Sequence, residues 1–285
     1  MSQSRTLPGS VDAAPADDGL IYGLTPPRRE GFRLTDHPRL VQGAVAAAVL
    51  IAWELYGRSL NPILLSYPTA VARAFAELVR DGSLARALGQ SLQPLSAGFA
   101  LALTAGVGVG LVMGRSKLCY EALDPFLTAL YATPTVALIP LIMLWFGFGF
   151  SAKVVIIFLS CFFPIVINTY AGVRNVSRAT VDVVRAYGAD GRQIMSKVVL
   201  PSALPFVMAG VRVAIGRGVI GMVVAEFFTA LSGLGALIIV FSNAFATAKL
   251  FVPVIVLSLM GVGLTAIASW VERRLAPWKE TERAG

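Results

Sequence analysis

Arg212, Arg217 and Glu226 stand in the apolar run AGVRVAIGRGVIGMVVAEFF, where a charge kept from water is expensive. Such groups pair with one another, cap backbone carbonyls or face a wet cavity, and a cation held there attracts an anion. Arg217, the deeper arginine, is expected first as an ion pair or carbonyl cap between subunits and second as part of a path that draws an anionic solute. Arg212 snorkels towards the nearer end of the run or braces the polar segment before it. Glu226, near the far end, belongs to an outer gate, to a docking contact or to a solvated rim. Covalent chemistry finds little support. The chain has one histidine, His37, and lacks H-E-x-x-H, G-x-S-x-G and paired membrane carboxylates, so no catalytic residue and no metal ligand set is assigned. The absence of G-x-x-x-x-G-K-[ST] excludes ATP hydrolysis by a P-loop in this chain.

A second group of polar residues interrupts the apolar sequence: VDVVRAYGADGRQIMSKVVLPSALP, residues Val181 to Pro205. Thr180 as N-cap and Asp182 in the first turn predict a short helix through Arg185 and Ala186 to Tyr187, ended by Gly188. After a turn through Ala189 and Asp190, a second short helix sets Ile194, Met195, Val198 and Val199 on one face and Arg192, Gln193, Ser196 and Lys197 on the other. Pro201 and Pro205, following Leu200, are expected to stop it and restart the chain. An amphipathic helix lying on lipid headgroups needs only the stripe, not a glycine turn between two helices.

The elements that carry these groups follow from composition. Of 285 residues 56% are hydrophobic and 14% charged, against roughly 25% charged in soluble domains, and mean hydropathy is +0.73. This is the composition of an all-α, polytopic membrane protein. Apolar spans are expected at 39–57, 91–113, 124–147, 152–172, 204–229 and 250–271, each long enough to cross about 30 Å of hydrocarbon. The glycines of AGFALALTAGVGVGLVMG suit close helix packing in the second span. Kinks at Pro134, Pro140 and Pro164 open a cavity or serve as packing bends. PTAVARAFAELVRDGSLARALGQSL reads as a helix pair whose charges are partnered by Glu77 and Asp81. LSGLGALIIVFSNAFATAK is too apolar for a loop and dips into or lies along the membrane. A flexible tail over 1–36, a membrane domain over 37–275 and a short tail over 276–285 complete the division. Net charge is +8, and its distribution matters more than its sign. With both termini cytoplasmic, Arg115, Lys117, Arg174, Arg178, Arg185, Arg192, Lys197, Arg273 and Arg274 lie inside, while Arg58, Arg73, Arg80, Arg86, Lys153 and Lys249 lie outside. Cys119 and Cys161, in a polar loop and an apolar span, do not make a disulfide framework.

The run Asp182-Val183-Val184, three residues, Gly188, nine residues, Val198, one residue, Leu200-Pro201 resembles the "EAA" signature of permease subunits of binding-protein-dependent ABC importers. Asp-Val-Val stands where that family usually has Glu-Ala-Ala. YATPTVALIPLIMLWFGFGFSAK, VVAEFFTALSGLGALI and ERRLAPW extend the resemblance over nearly the whole membrane part, towards the nitrate, sulfonate and taurine branch. It implies a homodimer of six-span subunits in the bacterial cytoplasmic (inner) membrane and an extracytoplasmic solute-binding protein. It also implies two ATPase subunits that hold ATP and Mg, with no cofactor on this chain and no nucleic acid. Residues 177–201 would then be the cytoplasmic coupling element, with Asp182, Arg185, Ala186, Tyr187, Gly188, Ala189, Asp190, Leu200 and Pro201 at the ATPase. Arg212, Arg217, Glu226, Pro134 and Pro140 are the candidates for the pathway or its gate. The branch carries nitrate, sulfonates, taurine, bicarbonate and some vitamin precursors or aromatic acids. The alternative is an ATP-independent secondary transporter or channel, which usually shows intramembrane acids for ion coupling or inverted repeats.

Overall fold

A computed structural model describes residues 38–61, 63–229 and 231–276. The expected tail over 1–36 and all of the C-terminal tail but Ala276 lie outside the described residues. Ala276 itself is buried, and its N–H bonds the Glu272 carbonyl at 2.8 Å. The chain divides into two units, 1–49 and 50–285. The first contributes the start of helix α1 (Pro38–Ser59), whose described side chains from Leu40 to Val49 are exposed and, Gln42 apart, apolar.

In the second unit the order is α2 (Pro68–Arg80), α3 (Ser83–Arg115), α4 (Lys117–Ala132), α5 (Thr135–Phe146), α6 (Phe150–Arg174) and α7 (Arg178–Ala186). There follow α8 (Gly191–Ile194), a π-turn (Met195–Val199), α9 (Leu200–Thr229), α10 (Leu234–Asn243) and α11 (Thr247–Leu275). The described residues are helical with no strand, and five helices are long and apolar enough to span a membrane, six if α4 and α5 count as one.

Four boundaries differ from the sequence reading. The third span is broken, with α4 and α5 meeting at 97°. Pro134 excludes helical geometry at Thr133, which takes φ −70° and ψ 126°. The second member of the expected helix pair is the start of α3, which runs on for 33 residues with Pro94 inside it. The charges there are also paired differently: Glu77 meets Lys249 of α11 at 2.7 Å, and Asp81 accepts from the Ser83 hydroxyl and N–H, which hold its carboxyl below the usual value. Ser177, not Thr180, occupies the N-cap position of α7. Pro201 and Pro205 do not stop a helix, for Gly191–Thr229 runs on as one 39-residue span. The π-turn absorbs the first of these prolines: the Leu200 N–H reaches back to the Met195 carbonyl, so the register has already slipped where an N–H goes missing.

Helix α6 is the centre, lying along α3 on one side and α9 on the other. Half of its apolar window is buried, the largest share of any span. The contact is close because the facing positions carry no side chain: Gly98, Gly106, Gly110 and Gly114 on α3 fall four or eight residues apart. Their absent Cβ atoms would meet Ile157, Ile165, Thr169 and Val173. Gly210, Gly218 and Gly221 on α9 repeat the device towards Asn168, Cys161 and Ser160. The Asn168 side-chain amide also donates to the Pro164 carbonyl, one turn back in the same helix, at 2.8 Å.

A Cβ at Gly110 would lie 2.6 Å from Thr169 Cβ and 2.8 Å from the Val166 carbonyl oxygen, whereas one at Gly108 would meet nothing within 4 Å. Gly110→Ala is expected to destabilise the protein by about 1–3 kcal/mol, and Gly108→Ala to leave it unchanged or slightly more stable. Thermal unfolding of the purified chain in detergent reads the difference. Equal midpoints would mean that α3 and α6 can separate at no cost.

Candidate functional site

The polar element between α6 and α9 is built to hold one shape. Helix α7 turns Val181 and Val184 inward, onto a base that includes Val173, Ile194 and Val199, and leaves Asp182, Arg185 and Ala186 exposed. It ends in a Schellman motif: the Gly188 N–H bonds the Arg185 carbonyl at 2.9 Å and the Ala189 N–H bonds the Val184 carbonyl at 3.3 Å. Gly188 has φ +85°, a conformation that L side chains resist. Two residues on, Asp190 caps α8. Its Oδ1 accepts from the Gln193 N–H at 2.7 Å, and its own N–H donates to Gln193 Oε1 at 3.0 Å, a complete capping box. The expected faces of the second helix are those observed: Ile194 and Val199 buried, Arg192, Gln193, Ser196 and Lys197 exposed. The two motifs leave Tyr187 at the tip, 88% exposed. Asp182 and Arg185 pair at 3.1 Å on the surface, a contact that contributes little to stability. Leu200 and Pro201 sit where the element passes into α9, half out of the packing.

At the other end of α9, Glu226 is fully buried, which excludes the solvated rim and a direct docking contact. Its Oε1 accepts from Ser91 Oγ of α3 at 2.7 Å, and its Oε2 from the Gly235 N–H at 2.7 Å, one of the free amides that open α10. Ser91 Oγ in turn accepts from the Leu234 N–H at 2.9 Å, so one hydroxyl serves as donor and acceptor. Lys153 of α6 brings its Nζ to 4.0 Å from the carboxylate and donates to the Ser232 carbonyl and hydroxyl at 2.8 and 3.0 Å. Gly233 has φ +104°, and a Cβ there would overlap the Glu226 carboxylate. Lys153, counted from sequence among the charges on the outer side, is thus 4% exposed and part of a four-helix clasp. The sequence did carry a sign of this: an acid in an apolar run needs donors, and Gly233 and Gly235 follow seven and nine residues later.

Arg212 forms an ion pair with Glu272 of α11. Arg217 has no carboxylate partner among the described residues. Its guanidinium lies 4.7 Å from the centroid of the Tyr131 ring, a cation–π contact. Beside it opens a cavity of about 340 Å³ lined by Thr135, Ile139, Ile156, Ser160, Ile220 and Val224, among others. The break at Pro134 is what turns Thr135 and Val136 to this cavity; Pro140, one turn on, is not in its wall. The site therefore offers one cation, two hydroxyls and apolar walls. Tyr131 stands beside the proline kinks in the sequence, but its pairing with Arg217, 86 positions along the chain, is given only by the tertiary structure.

A family model of the binding-protein-dependent transport system inner membrane component matches residues 102–280. The chain is 34% identical over 244 residues to the putative aliphatic sulfonates transport permease protein of Bacillus subtilis strain 168, covering 85% of this chain and 88% of that protein. It is 30% identical over 246 residues to the taurine transport system permease protein of Escherichia coli K12, covering 83% and 88% respectively. The crystal structure of an amino acid ABC transporter with histidines superposes with a TM-score of 0.54 at 18% identity, over 70% of this chain and 98% of that one, a likeness of fold.

Removing the Glu226 carboxylate strands Lys153, Ser91 and the Gly235 amide together. Glu226→Ala is expected to cost about 3–5 kcal/mol, and Lys153→Met introduced into Glu226→Gln to cost less than it does in the wild type. A double-mutant cycle on thermal unfolding measures the coupling; strictly additive losses would show that the two groups do not interact.

Proposed function

The chain belongs to the inner membrane components of binding-protein-dependent transport systems, and on that footing we propose how it is driven and what it carries. It is the membrane-spanning permease subunit of an ABC transporter, and the ATP-independent alternative falls away with the family assignment. We assign ATP hydrolysis, with its Mg, to two separate ATPase subunits that grip the tip of the 177–201 element on the cytoplasmic side. The permease functions as a homodimer with both termini in the cytoplasm, and a solute-binding protein delivers the cargo to the opposite face.

The observation that carries the coupling reading is the tip itself. Tyr187 stands 88% exposed on a turn locked by a Schellman motif and a capping box. An exposed aromatic on a rigid support suits an interface anchor, because little freedom remains to be lost on docking. A rigid element also transmits a partner's closure directly into the spans it joins, here α6 and α9.

For the cargo we propose a small organic anion of the sulfonate or taurine kind. The relatives' names support it, and so does Arg217, a cation with no carboxylate partner among the described residues, beside a cavity of about 340 Å³. Thr135 and Ser160 offer hydroxyls to an oxyanion, and the apolar wall suits a short hydrocarbon tail.

Two experiments test these assignments. Affinity purification of the chain from its native membrane in mild detergent, followed by mass spectrometry, is expected to recover a P-loop ATPase with the wild type and to lose it with Gly188→Asp, which strains the turn. Recovery of the ATPase with neither form, or equally with both, would overturn the coupling role. In cells expressing the whole transporter, Arg217→Gln is expected to lower taurine or alkanesulfonate uptake at least about tenfold at unchanged membrane abundance. Unchanged uptake would remove Arg217 from the pathway.

A further inference from the structure

A second pocket, of about 430 Å³, lies behind the polar element, between it and the ends of α3 and α6. Its rim carries Arg115, Arg174, Arg178 and Arg185 against one carboxylate, Asp182. That carboxylate is already engaged by Arg185 at 3.1 Å. Arg174 is held in place, donating to the Tyr170 hydroxyl at 2.9 Å with its guanidinium over the stacked rings of Tyr120 and Tyr170. Arg115 and Arg178 make neither an ion pair nor a hydrogen bond among the described residues, so they are not spent on capping the helices that carry them. The floor is apolar and includes Val173 and Val199, both buried.

Four arginines lining one pocket, with three of their charges unmatched by a carboxylate among the described residues, call for an anion with several oxygens, and guanidinium geometry suits phosphate. Position narrows the source. Arg115 ends α3 and Arg174 ends α6, both membrane spans, so the rim stands at the depth of the lipid headgroups and the floor at the start of the hydrocarbon. We propose that this pocket binds a phosphate oxyanion, supplied by the headgroup of an anionic phospholipid or by free phosphate. The occupant would lie against Val181 and Arg185 of α7 from the membrane side and brace the element opposite to its exposed tip. The bracing rests on the coupling role proposed above; the binding does not.

The test uses the full chain purified in mild detergent and titrated with phosphatidylglycerol, phosphatidylcholine or inorganic phosphate, read by native mass spectrometry and by the shift in unfolding temperature. Wild type is expected to retain phosphatidylglycerol, not phosphatidylcholine, and Arg115→Gln/Arg178→Gln to bind it at least about tenfold more weakly. The matched control Arg73→Gln/Arg80→Gln, two exposed arginines of α2 away from the pocket, should bind as wild type does. Binding of inorganic phosphate that the pocket variant loses would assign the site to free phosphate. Equal retention of both lipids, or no difference between the pocket variant and the control, with phosphate also without effect, would overturn the site. Because the readout involves no ATPase, its failure is separate from failure of the coupling reading.

Discussion

Helix α6 approaches α3 and α9 so closely that no side chain fits at the contact points, and the remaining architecture is arranged around that seam. Lipid offers apolar helices no hydrophobic reason to associate, so their adhesion comes from packing at short range and from polar groups that find partners nowhere else. Glycines on α3 and α9 provide the packing, and the Glu226 clasp provides the polar part. With the carboxylate bound to donors from α3 and α10 and set against Lys153 of α6, the rotation of α9 about its axis is determined at that end.

Fixing that rotation places the other charges on α9. Glu226 and Arg217 are nine residues apart, about two and a half helical turns, so a glutamate turned into the seam turns the arginine away from it. Arg217 then meets Tyr131 and the cavity behind the Pro134 break. Three charges that look alike in an apolar run thus have three different fates: a buried clasp, an ion pair to α11, and a cation left beside a cavity.

The polar element is joined to the same frame at its base. Val181, Val184, Ile194 and Val199 seat it beside Val173 near the end of α6, and the uninterrupted run of Gly191–Thr229 makes its second helix one body with α9. Movement at Tyr187 therefore has a rigid route to the helix that bears both Arg217 and Glu226. The pocket that Arg115, Arg174, Arg178 and Arg185 help to line lies between this element and the ends of α3 and α6.

Much of this was legible in the residues themselves. Hydropathy identified the spans, the glycine pattern identified a packing face, and the spacing from Asp182 to Pro201 identified the polar element and its turn at Gly188. These are local properties: burial in lipid, chain stiffness and positive φ depend on a residue and its near neighbours. The Asp190–Gln193 capping box belongs to the same class and was readable in principle. What the tertiary structure alone decided was partnership. Glu226 joins Ser91 across 135 positions of chain, Lys153 reaches Ser232 across 79, and Arg212 chooses Glu272. Those pairings depend on which helix lies against which and at what rotation, and that is set by packing along the whole seam, beyond the reach of any single stretch of sequence.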